Sequence, residues 1–543
     1  MSPRPEPEGK PAAAGGGPPA VPAGRWAMAA ARFGPAGGAA AAMAVLGLWG
    51  LARSQSMGND EVATHWAASL SLRDLAHLLN NVDAVHGLYY LLMHYWMALG
   101  SSPTFMRIPS VISMTAAAAM VAITGRRLTG SGWAGLFAGL IMAVTPTISF
   151  YAQTARSYAL VFACVLGSTL ALLHAMKAEA PGGTGGRVVR RWLVYAALVT
   201  LGGYLHELSL LVLAAHAITV LLARYGLRAA VHWAATAAAG ALLVTPLVVI
   251  SHREDRVIGW IPRPGPTALR ILFQDYFGAT KVVAVVLLGC AVAAVLPPRG
   301  RWRLRPGGAA AETGAKPEPA WWSRGGISLP SVAAPLLVVP AAVLLLESLV
   351  ARPLYVDRYV LYGEAGAALL AGAGVYRIGR WLGDVVDRRA LFWVPGAVLC
   401  VCALLLQLGP QQRVRTPGSR LFDFGGPARY LAANARTGDG MLFFNAFYRK
   451  ARLGYPRDFQ NVSDFAMAVS PLQAGTFRGS DKPFDVTLPL MLARQRIWVL
   501  GRAPSAQLSA PLFRDESLVL EHRFSLVAER HFKGIVVTLW GRR

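Results

Sequence analysis

Long uncharged apolar runs alternate with short polar islands over most of this chain, and the spacing of that alternation sets its architecture. A helix needs about 20 consecutive apolar residues to cross a bilayer. Runs of that kind recur at about 34–52, 105–124, 133–150, 157–176, 192–205, 207–223, 232–250, 280–296, 329–350, 359–378 and 391–408. They predict about 11 transmembrane helices. A further apolar stretch, 86–100, is short for a crossing and carries His86 and His94, so it is expected to dip into one leaflet or lie on it.

Beyond residue 408 the pattern changes. Charges return, and strand-like runs appear at Met441-Leu-Phe-Phe, Ile497-Trp-Val-Leu and Gly534-Ile-Val-Val-Thr-Leu-Trp. A helical period from Pro427 to Ala435 leads into the turn Gly438-Asp439-Gly440 and then a strand. The expected fold class is therefore an all-α polytopic membrane protein with a small C-terminal α/β domain. Its expected units are a disordered cytoplasmic tail over 1–33, a membrane domain over 34–408 and an extracytoplasmic domain over 409–543. Residues 301–328, basic and rich in Pro and Gly, are expected to form a flexible cytoplasmic loop.

Composition agrees. Of 543 residues, 54% are hydrophobic and only 15% charged, with a mean hydropathy of +0.42, where a soluble protein carries about a quarter charged. The net charge of +25 does not point to nucleic acid, because its arginines fall between apolar spans: Arg126-Arg127, Arg187 with Arg190-Arg191, Arg299 to Arg305, and Arg388-Arg389. Cytoplasmic loops carry that bias. A plasma-membrane, multi-pass, bacterial protein is expected, with the lipid bilayer as its solvent and no nucleic-acid partner. The four cysteines lie inside apolar spans without metal-ligand spacing. No metal and no cofactor are expected.

With the basic clusters inside, the remaining polar islands face outward together. Asp60-Glu61 follows the first span, then come Asp83 and His86-Gly-Leu-Tyr89-Tyr, Arg107-Ile-Pro-Ser, Ala155-Arg156-Ser-Tyr158, His206-Glu207 and Asp357-Arg358-Tyr359. A carboxylate pair at a membrane surface is costly unless it faces water, a cation or a substrate. Several arginines on the side opposite the general basic bias point to an anionic ligand, and a lipid phosphate is the obvious one. Taken singly, each has a plainer reading: Asp60 as a helix cap, Arg107 as a buried structural arginine, Arg156 as a snorkelling helix-end residue.

In order and placement these islands resemble the GT-C superfamily of glycosyltransferases. The nearest likeness is to glycosyltransferase family 39, its bacterial protein O-mannosyltransferases and the aminoarabinose-transferase-like enzymes. The likeness covers roughly 40–280, with Gly259-Trp-Ile-Pro and Asp357-Arg-Tyr also fitting. It implies a polyprenyl-phosphate-sugar donor and an extracytoplasmic protein, lipid or glycan acceptor. Carried over by position, Asp60 is the catalytic base and Glu61 its neighbour that positions or binds acceptor. His86 falls near the carrier phosphate, although Gly87-Leu88 replaces the family's Pro-Pro, and Tyr158 stands where some relatives have Asp.

Chemistry supports the asymmetry. A polyprenyl phosphate leaves as a stable anion, so the site needs no general acid, unlike a glycoside hydrolase. It needs one carboxylate for the acceptor hydroxyl proton and cations for the phosphate. Asp60 and Glu61 would serve the acceptor, with Asp83, His86, Tyr89, Arg107, Arg156, Tyr158, His206 and Arg358 lining the substrate site. Direct displacement would invert the anomeric centre of a mannose-like sugar. The alternative from another class is a multi-spanning lipid or polysaccharide transporter, which would carry ionisable groups at mid-membrane rather than at one face.

Overall fold

The computed structural model describes residues 25–53, 56–179, 185–254, 259–296, 326–502 and 514–543. The expected flexible loop over 301–328 lies almost wholly outside the described residues, as does the tail as far as residue 24. Helix α1 spans Arg25–Leu48, so the expected tail is too long: Trp26-Ala-Met-Ala-Ala-Ala-Arg-Phe is a run of good helix formers continuous with the first apolar run.

The membrane bundle continues through α2 (Asn59–Ser69), α3 (Leu72–Leu79), α4 (Gly87–Met97), α5 (Pro103–Thr129), α6 (Gly132–Val144), α7 (Pro146–Ala152), α8 (Tyr158–Ala178) and α9 (Gly185–Leu205). It is completed by α10 (Val212–Ala223), α11 (Leu227–His252), α12 (Pro266–Phe277), α13 (Lys281–Val295), α14 (Leu329–Val350), α15 (Glu364–Val385) and α16 (Val394–Leu406). Among the described residues six helices are long and apolar enough to cross a membrane, and eight if each of two bent pairs is one span. This is a multi-pass membrane protein. The other expected spans are helical too, but α1 and α10 have short apolar stretches, and α15 carries Glu364, Arg377, Arg380 and Asp384.

Two expected segments differ in form. The 133–150 run bends by 71° between α6 and α7, because Pro146 cannot donate to the preceding turn and Thr145 adopts an extended backbone. The stretch between the spans expected at 232–250 and 280–296 contains α12, which meets α13 at 72°. At eleven residues, α4 is too short to cross.

Close packing in the bundle runs through α15, whose Gly and Ala residues face three neighbours. A Cβ on Gly374 would fall on the Cys290 carbonyl of α13, one on Gly372 on the Ala138 backbone of α6, and one on Gly366 on the Ala333 carbonyl of α14. Small residues substitute for the missing hydrophobic drive between helices in lipid. Gly374→Val is therefore expected to destabilise the bundle by about 1–3 kcal/mol, read as an earlier unfolding midpoint in detergent; an unchanged midpoint would refute this packing.

The C-terminal domain holds a five-stranded sheet ordered β2-β1-β5-β7-β6. Its strands are β1 (Asp439–Phe443), β2 (Val462–Asp464), β5 (Arg496–Gly501), β6 (Phe524–Phe532) and β7 (Ile535–Arg542), with a separate hairpin of β3 (Met467–Val469) and β4 (Ser480–Asp481). β1 pairs in parallel with β2 and β5, while β5, β7 and β6 are antiparallel. The three strands expected from the sequence are β1, β5 and β7, the central ones, whose side chains are mostly buried.

Candidate active site

Helix α2 follows the first span and lies between the bundle and the C-terminal domain. Glu61 anchors it. One Glu61 carboxylate oxygen takes the Arg107 Nε–H at 2.8 Å and the Ala155 N–H at 3.1 Å. The other takes Arg107 Nη2 at 2.9 Å and the Gly58 N–H at 3.2 Å, closing the first turn of the helix. Arg420, from the segment leading into the C-terminal domain, approaches to 3.6 Å. Burial alone would raise the Glu61 pKa, but Arg107 and then Arg420 outweigh it and bring it down to about 2.

Two expectations are corrected here. Glu61 does not face an acceptor, because both its oxygens are engaged inside the protein. Arg107 does not face a phosphate, because it is buried on Glu61 and the Ser56 carbonyl. Of its two readings, the structural one holds.

Asp60, one residue earlier, is left differently. It is half-buried, accepts a 3.2 Å hydrogen bond from Asn59 Nδ2, and has no ion-pair partner within 4 Å among the described residues. Burial pushes its carboxyl up, but Arg358, Arg156 and Lys450 together hold it below the ordinary range. It is a carboxylate in a cationic field with no cation bonded to it.

Arg358 sits in a turn of 3₁₀ helix, Asp357–Gly363, between α14 and α15. Its Nε donates to the Tyr158 hydroxyl at 2.8 Å. Its guanidinium carbon lies 5.4 Å, 5.6 Å and 5.7 Å from the ring centres of Tyr359, Tyr158 and Trp260. No carboxylate lies within ion-pair distance of it among the described residues, and its close partners are the Tyr158 hydroxyl and these aromatic faces. Arg156, in the break between α7 and α8, donates to Tyr90 Oη at 2.6 Å and to Asp83 Oδ2 at 3.0 Å, and its buried Nε has no partner. Asp83 also accepts from Tyr90 at 2.6 Å, from a left-handed backbone conformation at φ 60°.

His86 lies against Ser157 Oγ at 3.1 Å, with the His206 ring 5.4 Å away. Burial first, then Arg156, His206 and Arg358, hold it well below the ordinary histidine range. His206 packs on Tyr359 at 4.7 Å, accepts the Leu208 N–H, and is pushed down to about 3 by burial and the same two arginines. Burial and the neighbouring arginines thus favour the neutral imidazole at His86, which meets Ser157 as a hydrogen-bonding ring. Tyr89 is fully buried, and Tyr158 joins the Arg358 side to His86 through ring contacts.

The structure thus brings Asp60, Asp83, His86, Arg156, Tyr158, His206 and Arg358 together, with Glu61 and Arg107 as their support. Among the described residues no group of three His, Cys, Asp or Glu side chains could hold a metal. Sequence reasoning missed Lys450, whose Nζ donates to Asn59 Oδ1 at 2.8 Å from 391 positions away. Beside the cluster, Leu88, Leu193, Ala197, Leu201, Tyr204 and Leu243 line an apolar groove of about 470 Å³.

No family model matches the chain, and no curated protein does. Its structure is similar to ArnT from Cupriavidus metallidurans in the apo state, with a TM-score of 0.57 and 13% identity over 91% of this chain and 96% of that one. It is equally similar to the same protein bound to undecaprenyl phosphate, with a TM-score of 0.56 and 14% identity over 92% and 96%. The likeness extends over membrane bundle and C-terminal domain together, so the chain shares that fold, a polytopic helical bundle with a small C-terminal α/β domain, as expected from the sequence.

Proposed function

We propose, taking that shared fold as the premise, that this chain is a GT-C-type membrane glycosyltransferase moving a sugar from a polyprenyl-phosphate donor to an acceptor hydroxyl. The observation that carries the reading is the pairing of a carboxylate without an ion-pair partner, Asp60, with an arginine, Arg358, whose partners are the Tyr158 hydroxyl and aromatic rings. A half-buried cation with no carboxylate within ion-pair distance leaves room for an anionic ligand. The similar ArnT structure bound to undecaprenyl phosphate supports a phosphate-bearing lipid as that anion.

In this reading Arg358, aided by Arg156 Nε, holds the phosphate, and Asp60 takes the proton of the acceptor hydroxyl. The polyprenyl chain leaves through the apolar groove beside Leu88, two residues from His86. Attack opposite the departing phosphate inverts the anomeric carbon without a covalent intermediate. The sugar is a hexose such as mannose, the acceptor a protein, lipid or glycan, and the reaction lies on the extracytoplasmic face of a bacterial plasma membrane.

The electrostatics also couple the two substrates. Phosphate binding neutralises the cations that depress the Asp60 carboxyl, so the base becomes stronger when the donor is in place. Arg358→Gln is expected to weaken undecaprenyl phosphate binding by about 10- to 100-fold, since charge-assisted hydrogen bonds contribute about 1.5–3 kcal/mol. Titration of the purified variant with undecaprenyl phosphate checks this, and an unchanged affinity would remove Arg358 from the donor site.

A further inference from the structure

The C-terminal domain does more than cover the bundle. A short helix beginning at Lys450 packs on α2, close enough that a Cβ on Gly454 would meet Val62. The approach is fixed by polar contacts at the entry to α2: the Tyr455 hydroxyl accepts the Met57 N–H at 2.7 Å, and Ser56 bonds Asp423 and the Gly425 N–H. This docking delivers one cation into the interior.

Lys450 is 9% exposed, with Nζ 5.3 Å from the Phe447 ring centre and 5.1 Å from that of Phe477. Among the described residues it has no carboxylate within ion-pair distance. Its hydrogen bond goes instead to Asn59 Oδ1 at 2.8 Å, and Asn59 Nδ2 donates onward to Asp60 Oδ1 at 3.2 Å. An ammonium can only donate, so the Asn59 amide must present oxygen to Lys450 and nitrogen to Asp60. The three residues form a directed chain from the C-terminal domain to the carboxylate.

We propose that Lys450 is a positioning residue for Asp60, acting through the Asn59 amide, so that the C-terminal domain completes the reaction centre. The inference rests on Asp60 being the base. Lys450 orients the carboxylate through the amide and adds a positive charge that favours its ionised form. A lysine that merely held two domains together would not need to address Asp60 through a polar relay.

Asp60 feels Arg358, Arg156 and, from the segment leading into the C-terminal domain, Arg420 besides Lys450, and Lys450 faces Asp83, Asp60, Arg156 and Arg478. Burial, the largest influence, pushes the Lys450 ammonium down to about 8, opposed by Asp83 and Asp60. It is protonated at neutral pH and loses its proton as pH rises through that value.

The test needs no sugar substrate. A hydrophobic carbodiimide reacts with protonated carboxyl groups, so its rate on Asp60, followed by peptide mass spectrometry on the full-length protein at a fixed pH near 5.5, reports the fraction protonated. Lys450→Met keeps the apolar stem among Phe447 and Phe477 and removes the charge. It is expected to raise the Asp60 labelling rate about three- to tenfold, equivalent to an upward shift of about half to one pH unit. Lys450→Arg, which restores a charge, is expected to return the rate to within about twofold of the parent.

Should Lys450→Met fail to fold, Asn59→Leu cuts the same chain on the α2 side and is expected to raise the rate in the same direction. An unchanged rate in the folded variants would overturn the inference while leaving the base assignment of Asp60 standing. If Asp60→Asn retains full transfer, the base assignment falls instead, and the positioning role falls with it.

Discussion

Asp60→Asn is expected to reduce kcat for sugar transfer by about 10²- to 10⁴-fold, the usual contribution of a positioned general base, while undecaprenyl phosphate binds within about twofold of the parent. The two halves follow from geometry. Asp60 makes no ion pair within 4 Å among the described residues, so its removal breaks no direct pair, and Arg358 keeps its bond to Tyr158 and its aromatic neighbours. An amide also preserves the shape and the Asn59 contact. Transfer measured across a panel of labelled polyprenyl-phosphate sugars checks the first half, and titration with undecaprenyl phosphate the second. Retained transfer would move the base elsewhere; lost binding would make Asp60 a structural residue.

Arg107→Met is expected to have the largest effect on stability, about 3–5 kcal/mol, because it leaves the Glu61 carboxylate buried without its main partner. The effect is pH-dependent, with a sign fixed by the folded state. Glu61 is held down to about 2, below its ordinary value of 4.5, so the pair's contribution is fully present above about pH 4.5 and declines as pH falls toward 2. Denaturant unfolding at pH 7 should therefore separate variant from parent widely, and the gap should narrow in acid. Replacing both partners together with Met and Leu should restore part of the loss, since an apolar pair need not be desolvated as ions. A gap that widened on acidification would contradict the buried-pair account.

The bundle was largely legible because apolar run length depends on the bilayer and not on distant partners. Thus α5, α8, α11 and α14 start and stop within a few residues of their expected bounds. Helix α12 was hidden because Pro266-Thr-Ala-Leu-Arg-Ile-Leu-Phe-Gln-Asp is too polar and too short to read as a span. In the C-terminal domain the central strands announced themselves by continuous apolar runs, whereas β6, an edge strand carrying Ser525, Glu529, Arg530 and His531, did not.

The candidate site was legible as a set of residues but not as a set of roles. Asp60 and Glu61 are adjacent in sequence and chemically similar, yet one turn of helix points Glu61 into Arg107, 46 positions away, and leaves Asp60 free of such a bond. No local pattern separates the two. A histidine expected near a phosphate suggests positive charge, and only its burial, followed by the positions of Arg156, His206 and Arg358, reveals why its pKa is pushed down. Lys450 lies in Tyr448-Arg-Lys-Ala-Arg, where a basic run reads as solvated surface, and its surroundings come from Phe447, Phe477 and the distant Asn59.

The central claim is spatial: the phosphate belongs on the Arg358 side of the cluster, across from Asp60. An experimental structure of the Asp60→Asn variant with undecaprenyl phosphate tests it most directly. The account predicts a phosphate oxygen within about 3 Å of the Arg358 guanidinium, close to Arg156 Nε, with the side chain at position 60 open to an acceptor. A phosphate seated on Arg420, or anywhere out of reach of Arg358, would contradict it.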